Sequence, residues 1–408
     1  MIGIFQVIGK PDNYESKDFI INGKRYKSCL CSDAFRDFLK SEGKDAKLTI
    51  FVPESFLVDE NIECFCDKIK EKGIYDFDAI AIPSVGTYKS GNEEFSFLGS
   101  VETISTSIFL HFVKMRPDEM YIDVSTGLNI YPVNLLEAVK RYLTYRKLER
   151  ILQSDYRAKA YTIFSPPISR DVDEYLVEVQ PIDVKAFFSL PNANVDRIAS
   201  SKEINKRYGK VKKKVRNLFS ELKIAYNSIR LNTPLAFYEI LKMDAPVEEI
   251  ERELFDFIDA VLEPVRNGNV VGRIQIDGVN VSNVFYSLAM YKSIQEFAKT
   301  LSNPELDEIF KAFSSIYRIK HLGLAVNEHF LVRDIEEIKS LKIEEGMEDI
   351  LAKLKFGEIR GSKDKERNFF AHSGFLYEYT ILKAKNGKIF VRWVENARRE
   401  IKKWLSKH

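Results

Sequence analysis

The stretch ERNFFAHSGF, Glu366 to Phe375, holds one of only five histidines in a chain of 408 residues. On a regular helix Asn368 and His372, four positions apart, share a face. Arg367 lies five positions before His372, about 140° around the axis, so its guanidinium must wrap around the helix or serve the site of a neighbouring subunit. These side-chain types suit one reaction: metal-free cleavage of RNA by its own 2′-hydroxyl. An imidazole can move the proton near neutral pH. A guanidinium can hold the scissile phosphate and its growing negative charge, and an amide can fix the phosphate or the imidazole. The plainer alternative is a histidine at a helix C-terminus just before Gly374, where the dipole favours a cation, with Phe369 and Phe370 facing a core.

A second cluster lies in YIDVSTGLN, Tyr121 to Asn129, where a strand pattern gives way to a helical one. Open α/β sheets bind ligands outside the carboxyl ends of their strands. Asp123 ends the strand, Ser125 and Thr126 offer hydroxyls, Gly127 admits close backbone approach, and Asn129 can pair with a base or sugar. The free N–H groups of the next helix favour an anion. Gly9 and Lys10 follow the first strand, and Gly86, in IPSVGTY, follows the third, so both are expected at the same edge. The set suits a polyhydroxylated or phosphorylated guest. A capped helix start with a glycine turn also accounts for Ser125, Thr126 and Gly127 without any ligand, and a strand-end Asp often only tethers a loop.

Two kinds of domain are needed to position these groups. Strand patterns in IGIFQVIG, KLTIFVP, FDAIAIP and EMYIDVS alternate with helical ones, and further strands are expected in AKAYTIFSPPIS and DEYLVEVQ. Near-continuous apolar strands separated by helices predict a mostly parallel sheet covered on both faces. No Gly-x-Gly-x-x-Gly follows the first strand. From about Asn192 a 3.6-residue period dominates, as in PVEEIERELFDFIDAVLEPVRNG, with Pro and Gly punctuating the helical stretches. Asn386-Gly387, between alternating runs, signals a hairpin. The expected fold is an α/β Rossmann-like N-terminal domain, residues 1–185, followed by an all-α C-terminal region, residues 186–408, with a small β-hairpin insertion.

A length of 408 residues predicts two or three domains. With a net charge of +2, any nucleic-acid surface must be a local patch. The clearest is KRYGKVKKKVR, Lys206 to Arg216, either a solvated helix or a track for phosphates. His321 and His329 lie without obvious ligand companions and are expected to be structural. The pairs Cys29/Cys31 and Cys64/Cys66 lack zinc-site spacing and are expected as plain buried thiols. No basic signal region opens the chain and no apolar run approaches the ~20 residues of a membrane span, which predicts a cytoplasmic protein.

ERNFFAH resembles the R-N-x-x-x-H signature of HEPN ribonucleases, and DVSTGLN resembles the strand-end motif of CARF domains, the Rossmann-like sensors of CRISPR systems. Their order and the chain length resemble the CARF–HEPN ribonucleases of type III CRISPR systems, the DxTHG family. The resemblance implies a homodimer whose CARF domains share a pocket for cyclic oligoadenylate. It further implies that this messenger activates a HEPN dimer that cuts single-stranded RNA in antiviral defence, with no metal or other cofactor. It makes Arg367 and His372 catalytic with Asn368 as companion, and Asp123, Ser125, Thr126, Gly127 and Asn129 part of the ligand pocket. The family's D-x-T-H-G reads D-V-S-T-G here, which removes its histidine. The competing expectation is a CARF-type regulator that binds nucleic acid through residues 200–300 and cuts nothing. An unrelated nucleotide-binding enzyme is disfavoured by the missing glycine fingerprint.

Overall fold

The computed structural model describes residues 1–126, 130–153, 158–166, 172–359 and 363–408. The first half runs β1 (Ile2–Val7), β2 (Lys17–Ile21), β3 (Lys24–Ser28), α1 (Cys31–Ser41), β4 (Ala46–Pro53), α2 (Ile62–Glu71), β5 (Phe77–Ile82), β6 (Gly86–Ser90), β7 (Glu93–Phe97), α3 (Val101–Met115), β8 (Glu119–Asp123), α4 (Ile130–Leu148), β9 (Lys159–Phe164), β10 (Glu174–Leu176) and β11 (Glu178–Ile182). Six of these strands form a sheet ordered β11-β9-β8-β1-β4-β5, parallel except for the β11 edge. Alternating residues of β1 explain its cover on both faces: Ile4 packs with α1 residues such as Phe35, and Phe5 with α3 residues such as Phe112. DEYLVEVQ does not form one strand. Glu174–Leu176 pairs with β2 in a separate three-stranded sheet, and Glu178–Ile182 pairs with β9, so one extended run serves two sheet edges.

The second half runs α5 (Lys202–Arg207), α6 (Gly209–Arg230), α7 (Ala236–Glu239), α8 (Val247–Leu262), β12 (Val265–Asn267), β13 (Val270–Gly272), α9 (Gly278–Ala298), α10 (Leu306–Tyr317), α11 (Ala325–Lys339), β14 (Glu348–Ile350), α12 (Leu351–Phe356), α13 (Lys365–Ala371), β15 (Thr380–Lys385), β16 (Lys388–Trp393) and α14 (Ala397–Lys407). It is mostly helical but not all-α. The helical period read in Pro246–Gly268 forms α8 only as far as Leu262, two residues before Pro264, because proline cannot continue the ladder and biases its predecessor to extended backbone. Gly268 (φ 59°) and Asn269 then turn β12 into β13, and β13 pairs with β7 of the first half, Val270 opposite Ser96. Asn386 (φ 56°) and Gly387 (φ 71°) form the expected two-residue turn between β15 and β16, and β14 adds a third strand.

The two halves share one apolar core. Phe109 of α3 meets Phe285 of α9 edge-on at 5.9 Å, and Tyr145 of α4 donates to Glu251 of α8 at 2.7 Å. Gly278 opens α9 against α3, where a Cβ would fall 2.2 Å from Thr106 Oγ1. Among the described residues no helix is long and apolar enough to cross a membrane. Cys29 and Cys31 are buried thiols as expected, but Cys64 is exposed, because it sits on the outer face of α2 while Phe65 and Ile69 face inward.

Candidate active site

Both ends of α13 are fixed locally. Asp364 caps its start, accepting the Arg367 backbone N–H at 3.1 Å. The chain leaves through Ser373 (φ 50°) and Gly374 (φ 80°), where a side chain at 374 would press to 3.2 Å from Thr233. His372 is therefore the capping residue rather than part of a regular turn. Its amide still bonds the Asn368 carbonyl at 3.2 Å, and both side chains line one cavity of 280 Å³ together with Phe356, Leu376, Tyr377 and Glu378. Arg367 does not line that cavity; it stands exposed beside it. Phe369 is fully buried against Trp393 and Trp404, with ring centroids at 5.6 and 5.4 Å, and anchors the helix to its own subunit.

A buried carboxylate lies behind the imidazole. Asp334 of α11, 4% exposed, has Oδ1 3.8 Å from His372 Nδ1, an ion-pair separation longer than a hydrogen bond. Ser373 donates to Asp334 Oδ2 at 2.6 Å, and Asn232 Nδ2 donates to Ser373 Oγ at 2.8 Å. The Arg333 guanidinium donates to Asp334 Oδ1 at 2.8 Å and to the Ala371 carbonyl at 3.1 Å. Burial works to raise the Asp334 carboxyl, but the surrounding His372, Ser373 and Arg333 groups outweigh it and hold the carboxyl below its ordinary value. In front, the Tyr377 ring lies 4.9 Å from the imidazole, and its hydroxyl bridges Lys355 Nζ and Glu337 Oε1, each at 2.9 Å. A proton carrier is thus held in a cavity with an amide beside it, a fixed anion behind it and the Arg333 guanidinium at the helix end.

The second cluster gathers at the carboxyl edge of the sheet. Gln6 pairs with Asp123 in register, so Gly9 and Lys10 emerge beside the Asp123–Thr126 turn. Gly86 follows β5, two strands from β1, at about 10 Å by strand spacing. Ser125 donates its N–H to Asp123 Oδ1 at 2.8 Å and accepts the Ser165 N–H on Oγ at 3.0 Å. The Gly9 N–H is donated to the Tyr14 hydroxyl at 2.8 Å. Lys10 opens on a cavity of 200 Å³ that none of the other predicted residues lines; three carboxylates, Asp12, Asp59 and Glu60, make it unsuited to an anion. Gly127 and Asn129 lie outside the described residues.

Asp123 is fully buried, which places it under the turn as a tether rather than on a ligand-facing surface. Burial pushes its carboxyl up to about 6, against the lowering effect of the Ser125 hydrogen bonds. A carboxyl raised above its unfolded value binds its proton more tightly in the native state, so this group's contribution falls as pH rises from about 4 to 6. At ~1.4 kcal/mol per pKa unit the loss is about 3 kcal/mol. Asp123→Asn should therefore be more stable relative to wild type at pH 7 than at pH 4, read by denaturant unfolding at both values. An unchanged difference would show that Asp123 does not titrate in that window.

Two family models match the chain: the CARF domain of CRISPR system endoribonuclease Csx1 over residues 4–167, and the HEPN domain of the same endoribonuclease over residues 324–396. The chain belongs to the CRISPR-associated CARF–HEPN ribonucleases. No curated protein matches it. The CARF match takes in the sheet-edge cluster, and the HEPN match takes in α11, α13 and all three of Arg367, Asn368 and His372.

Within this CARF–HEPN chain three of the seven cations in the basic stretch Lys206–Arg216 are spent on internal pairs. Lys212 is 4% exposed and its ammonium is bonded to Asn205. Lys214 bonds Glu249 and Glu253 at 2.6 and 2.7 Å, and Arg216 bonds Asp196 at 2.8 Å. These cations fasten α6 to its neighbours, which argues against a phosphate track built on them. The sequence reading missed Asp334, Arg333 and Tyr377. Arg333 and Asp334 sit in RDIEEIK, where five charged residues in seven give no sign of which one is buried.

Proposed function

We propose that this chain is a metal-independent endoribonuclease acting on single-stranded RNA in type III CRISPR antiviral defence, activated by cyclic oligoadenylate at a CARF dimer. The observation that carries the reading is the placement of Asn368 and His372 in one cavity with Arg367 exposed beside it, inside the segment that matches the HEPN model. In this reaction the 2′-oxygen attacks phosphorus and the 5′-oxygen leaves, so the products are a 2′,3′-cyclic phosphate and a 5′-hydroxyl. His372 carries a proton to or from these oxygens, and the guanidinium of Arg367 meets the charge on the phosphate. A regulator that only binds nucleic acid has no use for an imidazole set against a buried carboxylate.

The Rossmann-like sensor is assigned to residues 1–185, and the connector with the HEPN domain and its hairpin insertion to residues 186–408. The functional unit is a homodimer. Val326 and Phe330, four apart on α11, are 59% and 40% exposed, and Phe330 lies under the Arg333 guanidinium that touches Ala371. This apolar face, linked to the end of α13 through Arg333, suits a second copy, which would bring a second imidazole and a second Arg367 to one cleft. The test is incubation of the protein with labelled RNA and EDTA, with and without cyclic oligoadenylates. Ligand-dependent cleavage that persists in EDTA and leaves a 2′,3′-cyclic phosphate is expected; cleavage abolished by EDTA, or products ending in a 3′-hydroxyl, would overturn the mechanism.

A further inference from the structure

A cavity of 780 Å³ lies at the opposite end of the central sheet from the predicted sensor edge. It is bounded by the C-terminal end of α4, the first residues of β9, the end of β11 and the connector that follows. Lys159 opens β9 and Phe164 closes it, so the cavity is ~16 Å along the strand from the Asp123–Thr126 turn. Its wall crosses between the halves. His321, just before α11, lines it, and His321 Nε2 lies 2.7 Å from the Ile151 carbonyl. A carbonyl can only accept, so Nε2 carries the hydrogen of this bond.

The charges here are unequal. Lys147 is committed to Asp183 at 2.8 Å and to the Val184 carbonyl. Arg150, also in the wall, donates to Gln153 Oε1 at 3.2 Å, and beyond these stand Lys159 and Lys185, both exposed and neither within ion-pair distance of a carboxylate among the described residues. The register that sets Ala160 opposite Ile182 brings Lys159 to the same edge as Asp183 and the following Lys185. Two residues on, Phe187 is 68% exposed, a large aromatic left uncovered at the rim. Lysines for a phosphate, an uncovered ring for a base and a volume within the range of small-ligand sites are the ingredients of nucleotide binding.

We propose that this cavity is a second nucleotide site, separate from the sensor edge and from the active site, which takes a nucleoside phosphate with its phosphate on Lys159 and Lys185 and its base on Phe187. The inference does not depend on the ribonuclease reading. Its occupant touches the CARF-matching segment through β9 and the turn that leads into α11 through His321. A free nucleotide and the terminal nucleotide of an RNA strand share this chemistry.

The experiment is photo-crosslinking of the full chain with 8-azido-ATP, followed by peptide mapping. Labelling of the segment around Phe187 or His321 is expected. Lys159→Glu/Lys185→Glu should lower that labelling at least tenfold, and Phe187→Ala should lower it severalfold, with unfolding midpoints unchanged because all three side chains are exposed. Competition by excess ATP but not by a 5′-phosphorylated RNA decamer assigns the site to free nucleotides; competition by the decamer at lower concentration assigns it to an RNA end. Labelling confined to the sensor edge, or equal labelling of this segment in wild type and the double variant, overturns the proposal.

Discussion

His372→Ala is expected to lower the rate of RNA cleavage by about 10²- to 10⁴-fold, the range in which a positioned proton carrier contributes, while leaving binding of cyclic oligoadenylate unchanged. The separation of the two effects follows from the fold. The imidazole belongs to the capping residue of α13, its side chain is 30% exposed, and the backbone bond to Asn368 that closes the helix does not involve the ring. Asp334 keeps Ser373 and Arg333 as partners when the ring is removed, so no buried charge is stranded. The described residues of the predicted sensor set lie at or near the carboxyl edge of the central sheet, on elements other than α13. Single-turnover cleavage of labelled RNA beside a calorimetric titration of the ligand would read both quantities. Retained cleavage removes His372 from the mechanism. Loss of both activities with a lowered unfolding midpoint means that the ring supports the fold instead. Arg367 offers the matching test: Arg367→Ala should weaken RNA binding and cleavage without altering stability, because the guanidinium is exposed.

Much of this arrangement can be read from local pattern. The apolar runs at Ile2–Val7, Ala46–Pro53, Phe77–Ile82 and Glu119–Asp123 become adjacent parallel strands because each needs cover on two faces. Asn386-Gly387 turns where expected because those residues tolerate positive φ. The misses share a cause, which is dependence on partners distant in sequence. Val270 becomes a strand because β7, more than 170 residues earlier, offers a free edge. Lys212 is buried and Lys214 neutralised because α6 packs beside α8 and the Asp196 turn. Asp123 stands apart: the sequence leaves it open between a pocket residue and a loop tether, and its burial comes from the local Ser125 turn. Asp334 is the clearest case. One acidic residue among several on an amphipathic helix acquires its meaning from Ser373, 39 positions later.

That residue carries the other large effect. Asp334→Asn is expected to reduce cleavage about 100-fold, the scale of a misplacement of ~1 Å at a reacting group, with RNA affinity little changed. The amide can still accept from Ser373, so the local frame survives, but it cannot present a negative charge to the imidazole or hold Arg333 by an ion pair. Stability supplies a second readout. Because the native carboxyl is held below its ordinary value, its contribution is fully present above the unfolded value near 4 and is lost as pH falls through the lower native one. The gap in stability between wild type and Asp334→Asn should therefore be widest at neutral pH and shrink below about pH 4. Ser373→Ala separates charge from scaffold. It removes the 2.6 Å bond to Oδ2 and leaves Asn232 without its hydroxyl partner, yet keeps the carboxylate beside His372. A loss of stability with much of the cleavage preserved would place the catalytic contribution in the charge of Asp334. Wild-type cleavage by Asp334→Asn would reduce that carboxylate to a fastening between α11 and the end of α13, and leave the orientation of His372 to Tyr377 and its own backbone.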